Sequence, residues 1–189
     1  MRNILSAYGG VGEFPNPMEY LMKRREAKDV HEKTVLDSFK TMLAKEGRVL
    51  SILERPDPPD AIVDIDGNKS WIEITEAMFN KDYARNITSF PPDDAAHVYS
   101  EQNLLGESEE TFEQNVIKVV SKKYEKASIR SIYSTNGSGI LLVGLFSPFV
   151  DIEVINDLSQ VVSEIVRNND ARFNQVYFYD RAHNFYKVV

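Results

Sequence analysis

The segment from Pro59 to Thr75 constrains the fold of this chain more than any other. Two runs of strand length, residues 60–65 (DAIVDI) and 69–75 (KSWIEIT), flank Asp66-Gly67-Asn68, a strong hairpin turn signal. Side chains alternate along a strand, so Ala61, Val63 and Ile65 share a face with Ile72 and Ile74. That uniformly apolar face belongs in a core. Asp60, Asp64, Glu73 and Thr75 then point the other way. With Asp66-Gly67 as a two-residue turn, Ile65 pairs with Asn68 and Asp60 lies directly across from Glu73. With Gly67-Asn68 as the turn, Asp60 lies opposite Thr75 and diagonal to Glu73. Both registers put the two carboxylates on one face, and a three-residue loop without a bulge would not.

Like charges facing each other across strands are destabilising, so a cation has to offset Asp60 and Glu73. A lysine or arginine can do so. A divalent metal does it better, because hard oxygen ligands are what Mg²⁺ prefers.

The rest of the chain supplies the frame. A helix is expected from about Asp29 to Glu46, where Val35, Leu36, Phe39, Met42 and Leu43 recur at helical spacing and Gly47 is a natural stop. Arg48 to Leu53 reads as a strand, interrupted by Pro56, Pro58 and Pro59. Residues 78–110 are polar and irregular, with Pro91-Pro92-Asp93-Asp94 in the middle, which suits a cover or short helices. A helix follows from about Glu109 to Ser128, then an apolar strand from Ile140 to Phe146. An amphipathic helix over 153–168 and strands at Gln175–Tyr179 and Phe185–Val189 complete the order. Helix, three strands, helix, strand, helix, two strands describe an α/β domain: a mixed central β-sheet flanked by helices. Residues 1–28 read as an N-terminal arm with a short helix, and 29–189 as the α/β domain.

Glu32 lies one turn before Leu36 and two before Phe39, on their inward stripe. A carboxylate there needs a partner. That partner is either a metal shared with the strand acids or Lys28 or Lys33, which would make Glu32 an ordinary rim residue.

A helix bearing Glu32, a strand, Pro59-Asp60 opening a second strand, a turn, and Ile72-Glu73-Ile74-Thr75 on a third strand resemble the PD-(D/E)XK nucleases, the restriction-endonuclease-like fold. The resemblance covers roughly residues 29–146. It implies that Asp60 and Glu73 bind a catalytic Mg²⁺ or Mn²⁺, that the backbone carbonyl of Ile74 completes the site, and that Glu32 is the helix acid. The family's lysine two residues after the glutamate is Thr75 here. A hydroxyl can position water but brings no positive charge. Some members of the family place a substitute lysine on the following helix. There Val116, Val119, Val120 and Ala127 mark the inward stripe; Lys123 falls on it, with Lys122 beside it. The competing reading of such a lysine is that it snorkels to the edge.

Two function classes follow from the resemblance, and beside them stands an α/β protein whose Asp60–Glu73 pair merely salt-bridges a lysine. One is a metal-dependent nuclease cleaving nucleic acid, DNA first. The other is a nuclease-fold binding or assembly module without catalysis, which Thr75 and the acidic balance favour. A homodimer is compatible with either. The formal net charge of −7 argues against a protein that coats nucleic acid, although residues 118–130 concentrate Lys118, Lys122, Lys123, Lys126 and Arg130 against one acid, Glu125. Such a run, like Lys23-Arg24-Arg25, is also what a solvated helix face looks like.

Other chemistries find less support. Cysteine is absent, which excludes disulfides and thiolate zinc sites. His31, His97 and His183 lack ligand spacing. Gly9-Gly10-Val11-Gly12 lacks the lysine of a phosphate loop. Trp71, Tyr83, Tyr99 and Tyr124 could stack on bases, though aromatics more often pack a core. The N-terminus shows no signal-peptide run, and Gly139–Phe146 is too short to span a bilayer, so a cytoplasmic protein without membrane association is expected.

Overall fold

The computed structural model describes residues 17–79 and 109–189, with side chains from 25 to 79 and from 112 onward. The elements run α1 (Pro17–Lys45), β1 (Leu50–Glu54), β2 (Ala61–Ile65), β3 (Asn68–Met78), α2 (Glu109–Glu125), α3 (Ala127–Asn136), β4 (Gly139–Phe146), α4 (Ile152–Arg167), β5 (Phe173–Tyr179) and β6 (Phe185–Lys187). The six strands form one sheet in the order β1-β2-β3-β4-β5-β6. The β3–β4 and β4–β5 pairs are parallel, and the other three are antiparallel. The α/β architecture with a mixed sheet is therefore as expected.

The turn chemistry settles the hairpin register. Asp66 and Gly67 both take positive φ, 56° and 85°, the combination a two-residue type I′ turn requires. Ile65 stands opposite Asn68 and Ala61 opposite Ile72. The Asp66 carboxylate also accepts from the backbone N–H of Val49 at 2.7 Å and from Arg48 Nε at 3.0 Å, tying β1 to the turn.

Two apolar layers sandwich the sheet. On one face Val35, Leu36, Phe39 and Leu43 of α1 pack with Ala61, Val63, Ile65, Ile72 and Ile74. On the other, Val116 and Val120 of α2 and Ile155, Leu158 and Val162 of α4 pack with Ile62, Trp71, Leu141, Val143 and Phe178. Every residue of β4 is buried, as befits a strand with parallel neighbours covered on both faces. The acidic face of the hairpin is thus roofed by helices rather than open, and Asp60 and Glu73 are buried while Asp64, nearer the turn, is half-buried.

Some boundaries differ from expectation. α1 begins at Pro17, twelve residues before the start expected at Asp29. Proline suits a first helical turn, and Arg, Glu, Ala and Lys before Asp29 are strong helix formers without any stripe. α2 ends at Glu125 because Lys126 adopts an extended ψ of 119°; α3 then restarts the helix, an element absent from the sequence reading. β5 begins at Phe173 and β6 ends at Lys187. Expectations for Gly9–Gly12, Tyr83, the 91–94 run, His97 and Tyr99 lie outside the described residues. Among the described residues, no helix is long and apolar enough to cross a membrane.

Candidate active site

Asp60 precedes β2 by one residue, and Glu73 lies in the middle of β3. The register brings them to one face, as the turn predicted. Asp60 Oδ2 accepts from the backbone N–H of Ile74 at 2.6 Å, so this carboxylate is clamped against β3 beside Glu73. Asp60 and Glu73 are only 6% and 3% exposed, which denies them the screening of water.

The cation comes from α2. Lys123 follows the inward stripe of Val116 and Val120 and is itself 8% exposed. Its Nζ donates to Glu73 Oε1 at 2.6 Å and to the Ile74 carbonyl at 2.9 Å. It does not snorkel to the edge. Lys126 Nζ, half-exposed, approaches the same Glu73 oxygen at 4.0 Å. Lys122 is exposed and its side chain has no partner among the described residues. Thr75 lies half-buried two residues beyond Glu73 on the same face.

The charges do not balance locally. Two buried carboxylates meet one buried ammonium, and Glu73 Oε2 is buried with no hydrogen-bond partner among the described residues. Burial, and then the charge of Asp60, push the Glu73 carboxyl up; Lys123 opposes the shift without cancelling it.

Glu32 stands at the margin. Its carboxylate is held by Lys28 Nζ at 3.2 Å and by Arg55 Nη2 at 3.2 Å. It still senses the centre: burial and then the Asp60 charge push its carboxyl up, against Lys28 and Arg55. Of the two lysines that the rim reading named, Lys28 is the one that pairs with Glu32. Among the described residues no three or more His, Asp and Glu side chains gather into an ion-ligand set. The close pair is Asp60 and Glu73, with the Ile74 carbonyl beside them. Their donors are hard oxygens, and the unpartnered Glu73 Oε2 is one that an ion could satisfy, so the pair fits a divalent cation.

One participant escaped the sequence reading. Arg172, 1% exposed, donates from Nη1 to the carbonyls of Lys123 at 3.2 Å and Tyr124 at 2.8 Å. It holds the last turn of α2, and so the backbone that carries Lys123. An arginine just before an apolar strand signals burial only once the loop at 168–172 is known to lie against α2.

Of the aromatic candidates, Trp71 and Tyr124 are core residues, in ring contact with Phe173 at 5.2 and 5.4 Å. His31 pairs with Glu76, and His183 Nδ1 meets Ser38 Oγ at 2.8 Å. Comparison with models of protein families, with curated proteins and with solved structures gives no match to this chain.

Proposed function

We propose that this chain is a divalent-metal-dependent nuclease with a restriction-endonuclease-like core, hydrolysing phosphodiester bonds of nucleic acid, with DNA as the first substrate to test. One observation carries the reading: Lys123 reaches from α2 to Glu73 and the Ile74 carbonyl, supplying beside Asp60 the positive charge that Thr75 lacks. A cytoplasmic setting suits such a substrate.

Asp60 and the free oxygen of Glu73 would hold Mg²⁺ or Mn²⁺, with the Ile74 carbonyl as a further donor and Glu32 reaching a second ion or its water. The bound ion would lower the pKa of water and stabilise charge on the phosphate. Lys123 contributes a fixed ammonium, already desolvated and aimed, next to the scissile group; preorganised charge of this kind is worth most in a dry site. The Ile74 N–H holds Asp60 in one orientation, so the carboxylate pays little to adopt its working pose.

A second reading has its own observation. Lys123 already engages both Glu73 Oε1 and the Ile74 carbonyl, so the ammonium stands in for much of the charge an ion would bring. That suits a non-catalytic nuclease-fold module. A Mn²⁺-dependent cleavage assay on single- and double-stranded DNA and RNA separates the two. Cleavage by wild type that is lost in Glu73→Ala supports the nuclease. Wild type and Glu73→Ala behaving alike on every substrate sinks it.

A further inference from the structure

Of the five cations between residues 118 and 130, Lys123 turns inward and the other four stay outside. Lys118, Lys122, Lys126 and Arg130 are all exposed and recur every fourth residue. Residues four apart are neighbours on a helix face, so on α2 they form a row. The backbone N–H of Lys126 closes α2 on the Lys122 carbonyl at 3.2 Å, so Lys118, Lys122 and Lys126 lie along α2 and its end; that of Arg130 opens α3 on the Lys126 carbonyl at 3.1 Å, one turn beyond the break. The eight residue steps from Lys118 to Lys126 would extend roughly 12 Å.

The row is poorly neutralised. The side chains of Lys118 and Lys122 have no ion-pair or hydrogen-bond partner among the described residues. Glu125, the single acid of the run, makes no ion pair with them. Arg130 feels the charge of Asp170, but that carboxylate is already taken by Arg172 at 2.7 Å. Like charges four apart on a helix repel. In a chain with 29 acids against 22 lysines and arginines, four exposed cations in sequence run against the overall balance. A face kept merely soluble would not need this concentration. At the third position the row touches the site, because Lys126 Nζ is 4.0 Å from Glu73 Oε1.

We infer that Lys118, Lys122, Lys126 and Arg130 are a track for the sugar–phosphate backbone of one nucleic-acid strand, leading it to the Asp60–Glu73 pair. This rests on the nuclease reading. The partner chemistry is a row of phosphodiesters, which both single strands and duplexes offer.

Salt dependence of binding tests the track. Fluorescence anisotropy of the whole chain, in chelator so that nothing is cleaved, is measured with short single-stranded and duplex DNA over a series of salt concentrations. Each phosphate contact contributes about −0.7 to the slope of log K against log salt for a single strand and about −0.9 for a duplex. Lys118→Gln, Lys122→Gln and Arg130→Gln together spare the neighbour of Glu73. They should flatten the slope by about 2 on a single strand or about 2.7 on a duplex, and weaken binding tenfold or more at low salt. The exposed α1 pair Lys33→Gln and Lys40→Gln should leave the slope unchanged. The oligonucleotide showing the larger loss is the strand form the track accepts. A triple variant with the wild-type slope on both DNAs overturns the track and leaves the carboxylate site standing. Normal binding with no metal-dependent cleavage removes the nuclease reading and leaves the track. Wild type that binds neither DNA overturns the track outright.

Discussion

Lys123 and Arg172 are both buried cations at the C-terminal end of α2, and their surroundings differ in kind. Arg172 is fully used. Nε and Nη2 take the two oxygens of Asp170 at 2.8 and 2.7 Å, and Nη1 takes two helix carbonyls that would otherwise lack partners. Its positive charge also suits the negative end of the helix dipole. Lys123 sits among surplus negative charge: two carboxylates, one of them with a buried oxygen left over. A group that serves only the fold settles into satisfied contacts, as Arg172 does. The unmatched charge around Lys123 is what the proposed ion site rests on.

Substitution should pull the two apart. The largest effect is expected at Lys123. Lys123→Met keeps most of the stem and removes the charge, and should cut Mn²⁺-dependent cleavage by about a hundredfold or more. The stranded Glu73 can escape by taking a proton, its carboxyl being already pushed up. Arg172→Met should instead cost stability, about 3 kcal/mol in urea unfolding, as for one partner removed from a buried charged network. Equal losses of activity and stability in both variants would erase the distinction.

A middle-sized effect is expected at Asp60. Asp60→Asn keeps an oxygen for the Ile74 N–H and removes one of two facing negative charges. It should raise the metal-free melting temperature by a few degrees, on the order of 1 kcal/mol, and abolish the stabilisation by Mn²⁺ that the proposed site predicts for wild type. Glu73→Gln is the less clean probe, because it also deprives Lys123 of its ion pair. A lowered melting temperature in Asp60→Asn would mean that the two carboxylates do not repel.

The smallest effect concerns pH, and its sign should differ between the centres. Hydrogen bonds from Arg172, with its charge next, hold the Asp170 carboxyl below the ordinary carboxylate range. Its contribution is present above the unfolded value near 3.8 and is lost as pH falls through the folded one. Asp170→Asn should therefore cost less than about 1 kcal/mol at neutral pH, because the carboxylate is 40% exposed, and nothing in strong acid. Glu73 is pushed up, so its stabilising share is present in acid and is lost as pH rises above the ordinary glutamate value. The pH dependence that Glu73→Gln removes should be a fall in urea midpoint with rising pH, and the one that Asp170→Asn removes a rise, whatever constant offset the lost Lys123 pair adds to the Glu73 variant. A parallel course would refute the contrast.

The hairpin was legible because Asp-Gly specifies its own backbone, and the backbone fixes which residues face each other. Asp60 and Glu73 follow from that parity alone. Lys123 was legible as a charge on an apolar stripe, although pattern could not tell a lysine that reaches inward from one that escapes. Glu32 was visible as an acid needing a partner; choosing between metal and Lys28 required knowing where Arg55 goes. The break at Lys126 left no mark, since neither glycine nor proline stands there. Arg172 was hidden because its acceptors are backbone carbonyls 48 and 49 residues away, and carbonyls carry no sequence signature.

Trp71 is the chain's only tryptophan. It lies fully buried two residues before Glu73 on the same face of β3, its indole N–H donating to the Gly137 carbonyl at 2.8 Å. Gly139 leaves the ring its place, for a β-carbon there would come within 2.3 Å of it. The molecule therefore carries an optical gauge beside its carboxylates. The emission of so dry an indole should lie toward the blue, and Mn²⁺ bound at the proposed site should dim it where Mg²⁺ does not. Occupancy of the proposed site would then be readable by fluorescence in the unlabelled chain, before any substrate is known.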